Sequence, residues 1–429
     1  PRPASQRAAA FILTAAMLTT LAAPAFAETW YIENGDITVK ASGTEGKNTV
    51  SQGDKKDVED TNTIITNQKT DKASSNTVTI EANGKNDKVE VTLKDVNIDT
   101  SSRNNAAVSV TGSGNTTIKL DGDNHLAGGN GIYSNSSGSL TISGDENDSL
   151  TAQGGDSRNG IYSVSGDVTI SGGTVTATGG NSTGSYGSGG DGIHSGSLTI
   201  SGGTVTATGG DSTGSNGLGG RGICSDSGGI TISGGSTVTA NGGNGSSGRD
   251  GISSSSGVTV SDGTVTATGG NSTGSYGSGG DGIRSDGGVT ISGGTVKAAG
   301  GDSKNGSGGD GIRSGDIDLS GSLELTAKAG SPNGKALSQR GSELDLDTIK
   351  EKLDPGAKVT TTDANGVTKE VTGSVKPKPP VTPVEPEGPV IPEESSSSSD
   401  GGSAAPSATV SSLPGLTVTD KSGAVISYT

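Results

Sequence analysis

Apolar and polar positions alternate in short bursts along this chain. In "LTIS" (198–201) Leu198 and Ile200 point one way and Thr199 the other; in "TVTAT" (204–208) Val205 and Ala207 oppose Thr204, Thr206 and Thr208. A period of two marks a half-buried strand. No segment of these bursts carries apolar residues at i, i+3 and i+4, and their density of glycine and β-branched residues opposes helix.

The bursts recur. The dipeptide Gly-Ile stands at Gly131, Gly160, Gly192, Gly222, Gly251, Gly282 and Gly311, at spacings of 29, 32, 30, 29, 31 and 29 residues. Each repeat holds three strand-like pieces, such as "GIHS" (192–195), "LTIS" and "TVTAT", followed by a glycine-rich loop. Three short strands per repeat, separated by glycine corners, form one coil of a parallel β-helix. The expected fold is all-β: a single-stranded, right-handed parallel β-helix (solenoid) of about 30 residues per coil, the hand following the general rule for parallel crossovers.

Stacking such coils at about 4.8 Å superposes equivalent side chains, so the interior is built from columns. One column is Ile132, Ile161, Ile193, Ile223, Ile252, Ile283 and Ile312. A second is Ile142, Ile170, Ile200, Ile232, Val260, Ile291 and Leu319, and a third runs through Val175, Val205, Val238, Val265 and Val296. Repetition here replaces a large core, because each coil covers its neighbour's few apolar side chains.

Upstream, residues 61–67, 76–82, 88–99 and 106–122 keep the alternation but lose the wording, so 28–125 reads as degenerate N-terminal coils ahead of regular repeats at 126–330. Trp30 is the expected plug of the open end. At 331–375 a C-terminal cap is expected, with a short helix over "LDLDTIKEKLDPG" (344–356) and a hairpin turning on Asn365-Gly366. Residues 376–406 change to a Pro-rich, then Ser-rich, disordered linker, and 407–429 reads as the start of a further module or tail. At the other end, Arg2 and Arg7 precede an apolar run that closes on Ala25-Phe26-Ala27, the pattern of a cleaved signal peptide over 1–27. The polar interruptions Thr14, Thr19 and Thr20 argue against a membrane span in that run, and no other stretch is a candidate. The expected location is secreted or on the extracellular cell surface.

Composition narrows the function. The 429 residues include 77 glycines, hydrophobic residues make up only 27% and aromatics 2%, so a conventional globular core is out of reach. A formal charge of −16, with no basic cluster interleaved with aromatics, excludes nucleic acid as a partner. Cys224 is the single cysteine, so within this sequence no disulfide can form.

The motifs that superficially spell catalysis lack its context. "GNSTG" (180–184) and "GDSTG" (210–214) fit G-x-S-x-G by letter, but without the strand-to-helix elbow or a supporting histidine and acid. "GSGGDG" lacks the Lys-Ser/Thr of a phosphate loop. No enzyme is expected.

Binding chemistry is better represented. The position two after each anchor glycine faces outward by parity: Tyr133, Tyr162, His194, Cys224, Ser253, Arg284 and Arg313. Rings stack on sugar faces and arginines pair with uronate carboxylates, which makes Tyr133, Tyr162, His194, Arg284 and Arg313 the candidate carbohydrate-binding residues; the alternative is an ordinary exposed column. Before each anchor stand Asn130, Asn159, Asp191, Arg221, Asp250, Asp281 and Asp310. Three carboxylates on consecutive coils, Asp250, Asp281 and Asp310, repel one another and are candidate calcium ligands, although Asp-Gly also suits a tight turn.

The segments "GGDGIHSGSLTISGGTVTATGG" (189–210) and "GGDGIRSDGGVTISGGTVKAAGG" (279–301) resemble repeats of bacterial secreted proteins described as carbohydrate-binding domain-containing proteins, whose characterised relatives are right-handed parallel β-helices similar to pectate lyases. "ETWYIENGDITV" resembles their mature start, and the likeness covers roughly 28–330. It implies binding of plant cell-wall polysaccharides such as cellulose or pectin, calcium in some members, and no need for catalysis. No ligand residue is carried over, because no binding motif matches position by position. The functional expectation is a secreted, non-catalytic protein that grips polysaccharide along the lateral face of the β-helix. The alternative is a structural or adhesive surface stalk, and a polysaccharide lyase is a more distant one.

Overall fold

The structure, a computed structural model, describes residues 27–44 and 46–374. The expected signal peptide falls outside this range except for Ala27, and the linker at 376–406 and the segment 407–429 fall outside it entirely. Within the described residues the chain forms an all-β parallel solenoid of about 10 turns with roughly 29 residues per turn.

The regular coils contribute three strands each, except that the second and third merge into Gly288–Ala299 and Ile317–Lys328 in the last two, and equivalent strands stack from coil to coil. In the first stack Ile132–Ser136, Ile161–Ser163, Ile193–Ser195, Ile223–Ser225, Ile252–Ser254, Ile283–Ser285 and Ile312–Ser314 pair in parallel, isoleucine opposite isoleucine throughout. All seven isoleucines are fully buried. The second stack aligns Ile142, Ile170, Ile200, Ile232, Val260, Ile291 and Leu319, and the third aligns Val175, Val205, Val238, Val265 and Val296. Every member of both is fully buried. At about 1.5–3 kcal/mol for each fully buried Ile, Val or Leu, these columns are the main stabilising element of the coil.

The glycines are set by approach distance. A β-carbon on Gly210, Gly243, Gly270 or Gly301 would lie 1.9–2.0 Å from the carbonyl oxygen of the equivalent glycine one coil below. Each of their amides also donates across this corner, as Gly243 does to Gly220 O at 2.7 Å. The corner therefore closes only without side chains.

The N-terminal coils stack as expected despite their divergent wording: Val78–Ala82 on Val108–Gly112, and Lys88–Lys94 on Asn115–Asp121. Trp30 lies in Thr29–Tyr31, paired in parallel with Ile64–Thr66, and its indole N–H donates to the buried Asp60 at 2.7 Å. An antiparallel ribbon that the pattern had not disclosed, Asn48–Gln52 with Lys55–Asp60, pairs onto Ile37–Ala41. Its outer strand, "KKDVED", is densely charged, which discourages edge-to-edge pairing.

At the other end one expectation is corrected. Residues 344–356 contain no α-helix; two 3₁₀ turns, Leu346–Thr348 and Lys350–Lys352, stand there instead. Asp345 caps the first by accepting from the Asp347 amide, while Asp354 N–H donates to Gly321 O at 3.0 Å. That link to the coil beneath, with Ile349 and Leu353 buried, holds the chain too close to the stack for a continuous helix. The hairpin is present, Lys358–Thr362 with Thr368–Thr372, and Gly366 takes a φ of +84° in its turn. Its first strand continues the third stack onto Ile317–Lys328.

Candidate functional site

In-register stacking decides which outward side chains meet. Tyr133 and Tyr162 pair across adjacent coils, as do Tyr162 and His194, so three rings follow one another up the face of the first stack. Ring centroids are 5.7 Å apart for the tyrosines, tilted by 49°, and 5.0 Å apart for Tyr162 and His194, edge to face. Burial, with the negative Asp191 and Asp226 nearby and Tyr133 alongside, raises the Tyr162 phenol above its ordinary value. Beside the tyrosines opens a groove of about 460 Å³ lined by polar groups, among them Asn104, Asn105, Asn130 and Arg158.

The five candidate carbohydrate-binding residues do not form one site. Arg284 and Arg313 pair with each other on later coils, after Cys224 and Ser253 have interrupted the column. They line a second groove, of about 380 Å³, together with Asp250, Asp281 and Asp310. Arg284 also contacts Asp286 at 3.7 Å.

The three aspartates form a ladder. Asp250 Oδ1 accepts the Asp281 amide at 2.9 Å, Asp281 Oδ1 the Asp310 amide at 2.7 Å, and Asp310 Oδ1 the Lys335 amide at 2.7 Å. Asn130, Asn159 and Asp191 make the same bond earlier in the chain, so an amide oxygen serves as well as a carboxylate. The aspartates therefore lie one per rung and do not converge on a single point. Burial and then the charge of Asp250 push the Asp281 carboxyl up to about 7.

Arg221 interrupts this ladder, and a different arrangement forms around it. Asp191 Oδ1 accepts the Arg221 amide at 2.6 Å, while its Oδ2 lies 2.8 Å from His194 Nδ1. The other imidazole nitrogen, Nε2, lies 2.7 Å from Asp226 Oδ2. Burial alone would lower the His194 pKa, but the two carboxylates outweigh it and the value is raised.

Cys224, expected to face outward, is buried. It pairs with His194 across the coils, its thiol donates to Asp226 Oδ1 at 3.5 Å, and these neighbours cover it. Burial, opposed by Arg221 and reinforced by Asp191 and Asp226, pushes the thiol up to about 12. Asp191, His194 and Cys224 bring ligand atoms within 4.8 Å of one another, the one such group of three among the described residues.

Sequence reasoning marked His194 and Cys224 as one column and noted Asp191 before its anchor. It missed Asp226 and Arg158, which stand in loops whose wording differs from coil to coil, and Asn104 and Asn105, which belong to the degenerate N-terminal coils. The serines of the G-x-S-x-G look-alikes are structural: both are buried, and Ser212 Oγ donates to Gly187 O at 2.8 Å.

Three stretches of the chain, 198–220, 230–256 and 289–312, match the family described as Beta helix repeat. The chain is a parallel β-helix protein. No curated protein and no solved structure matches it. Among the described residues no helix of this β-helix protein is long and apolar enough to cross a membrane.

Proposed function

We propose that this β-helix is a secreted, non-catalytic carbohydrate-binding protein that holds polysaccharide against the face bearing Tyr133 and Tyr162. The observation that carries the reading is the groove beside these rings, where apolar ring surface meets amides and a guanidinium. Sugars present alternating apolar faces and hydroxyl rims, so rings beside Asn104, Asn105, Asn130 and Arg158 match both. Secretion rests on the signal-like pattern of residues 1–27. Arg284 and Arg313 form a second, separate contact zone suited to acidic sugars.

Calcium is part of this proposal, as a bridge between neighbouring rungs of Asp250, Asp281 and Asp310. The elevated Asp281 carboxyl supports it, since a hard cation would relieve the repulsion that raises it. Each Oδ1 is already engaged by a backbone amide, so an ion there would use the remaining carboxylate oxygens.

Affinity electrophoresis of the full chain in gels containing neutral or acidic polysaccharide tests the reading. Retardation in at least one gel, reduced by Tyr133→Ala with Tyr162→Ala at unchanged melting temperature, is the expected result. Retardation unaffected by the double substitution removes the ring face from the proposal. No retardation in any gel favours a structural stalk, and products formed from pectin with added calcium would favour a lyase.

A further inference from the structure

We propose that Asp191, His194 and Cys224 form a binding site for a zinc-class divalent transition metal, with Asp226 as the outer carboxylate that holds the far imidazole nitrogen. Among the described residues this is where the coil's repetition is broken on two successive turns at once. One turn reads "DGIH" (191–194) and the next "RGICSD" (221–226), where other turns place Tyr, Ser or Arg in the anchor column. Parallel register then sets His194 directly beside Cys224. Asp191 reaches His194 from the same turn, and Asp226 reaches both His194 and Cys224 from the other.

The distances suit a compact ion. Ligand atoms of Asp191, His194 and Cys224 all lie within 4.8 Å of one another. Zinc bonds of about 2.0–2.3 Å in a tetrahedron put ligand atoms roughly 3.3–3.8 Å apart, so the set needs a contraction of only about 1 Å at its widest pair. An imidazole and a thiolate with carboxylate oxygens are borderline-soft donors, which select zinc or cobalt over calcium and magnesium. The three central side chains are largely shielded, while the Asp226 side chain stays 61% exposed and leaves an entry path.

Charge permits the exchange. With Cys224 as thiol and His194 protonated, two carboxylates face His194 and Arg221, a neutral set. A divalent ion that displaces the imidazolium proton and the thiol proton leaves the sum unchanged, with Arg221 still 3.9 Å from Asp191. Arg249 and Asp250, the remaining charges near this pocket, oppose each other. The site adjoins the sugar-facing tyrosines, His194 lying edge to face with Tyr162 at 5.0 Å, but its ligand set does not depend on sugar binding.

The test uses full chain without a histidine tag, stripped with chelator and titrated with cobalt(II). We expect one equivalent to produce a thiolate-to-cobalt charge-transfer band and tetrahedral d–d bands, both displaced by zinc. Cys224→Ser should abolish the charge-transfer band, and Asp226→Asn should weaken binding by roughly tenfold or more. His125→Ala should change nothing. Zinc should raise the melting temperature of the parent chain but not of His194→Ala, which keeps the proposal testable if one variant is less stable. Absence of the charge-transfer band, or equal stabilisation of His194→Ala by zinc, overturns it.

Discussion

His194 Nε2 and Asp226 Oδ2 lie 2.7 Å apart on adjacent coils although 32 residues separate them in sequence. Asp191 holds the opposite nitrogen at 2.8 Å, so one imidazole is clamped between two turns of the solenoid. A charged imidazole suits this clamp, and its raised pKa expresses that preference against the effect of burial.

In chelator-treated protein the His194 resonance should therefore titrate above the ordinary value of about 6.5, and Asp226→Asn should lower it. The linked stability has a definite sign. A raised folded pKa supplies stability that is full below the unfolded value and lost as pH rises through the folded one. Melting temperature should fall on going from pH 6 to 9, and fall less in Asp226→Asn. Parallel melting curves for the two proteins would contradict the clamp.

The isoleucine column makes a mechanical prediction. Ile223 is fully buried between Ile193 and Ile252. Ile223→Ala should cost about 2–5 kcal/mol in guanidinium unfolding, and Ile223→Val about 1 kcal/mol. A loss for the alanine variant below about 0.5 kcal/mol would mean that the coils do not depend on this column.

Gly243→Ala should be more damaging than its single methyl implies. The new β-carbon would meet Gly210 O at 2.0 Å, a clash with backbone that no side-chain rotation relieves. Gly341 has open space around that position, so alanine there meets only the cost of its φ of +78°, about 1–2 kcal/mol. Gly341→Ala should consequently shift the melting temperature far less than Gly243→Ala, and comparable shifts would refute the close-approach argument.

Asp281→Asn should stabilise the chain at alkaline pH. The carboxyl titrates near 7 in the fold, so the folded protein retains a proton that the unfolded chain releases near the ordinary 3.8. Stability tied to this group is full below the unfolded value and is lost as pH rises through about 7. Asparagine keeps the ladder bond, as Asn130 and Asn159 already do, and carries no charge. Its melting temperature should exceed the parent's at pH 8 and match it near pH 3.5. Added calcium should narrow the gap at pH 8 by stabilising the parent alone; an unchanged gap would remove calcium from the proposal.

Much of the fold was legible because its rules are local. Period-two alternation named the buried face of each strand, and the Gly-Ile spacing put equivalent residues in one column, as with Ile193 and Ile223. The helix expected over 344–356 was misread because a pattern of leucines and lysines carries no record of the hydrogen bond from Asp354 to Gly321. The ribbon at 48–60 escaped notice because its charged outer strand lacks the alternation of a core strand.

The sites divide along the same line. Tyr133, Tyr162 and His194 were found as a column, since parallel register needs only counting. Their separation from Arg284 and Arg313 was also implicit in that count, once Cys224 and Ser253 were seen to intervene. The groove and the Asp226 contact were not, because they depend on how corners of unequal length fold back on the stack.

By itself the sequence determined the solenoid, its columns and the order of side chains on each face, because a repeated short-range pattern leaves parallel stacking as the way to cover its apolar rows. Only the tertiary structure decided that Cys224 is buried, that Asp191 and Asp226 clamp His194, and that the aspartates form a ladder with backbone amides. Those outcomes depend on contacts between turns some 30 residues apart and on corner geometry, where a few tenths of an ångström separate a hydrogen bond from open solvent.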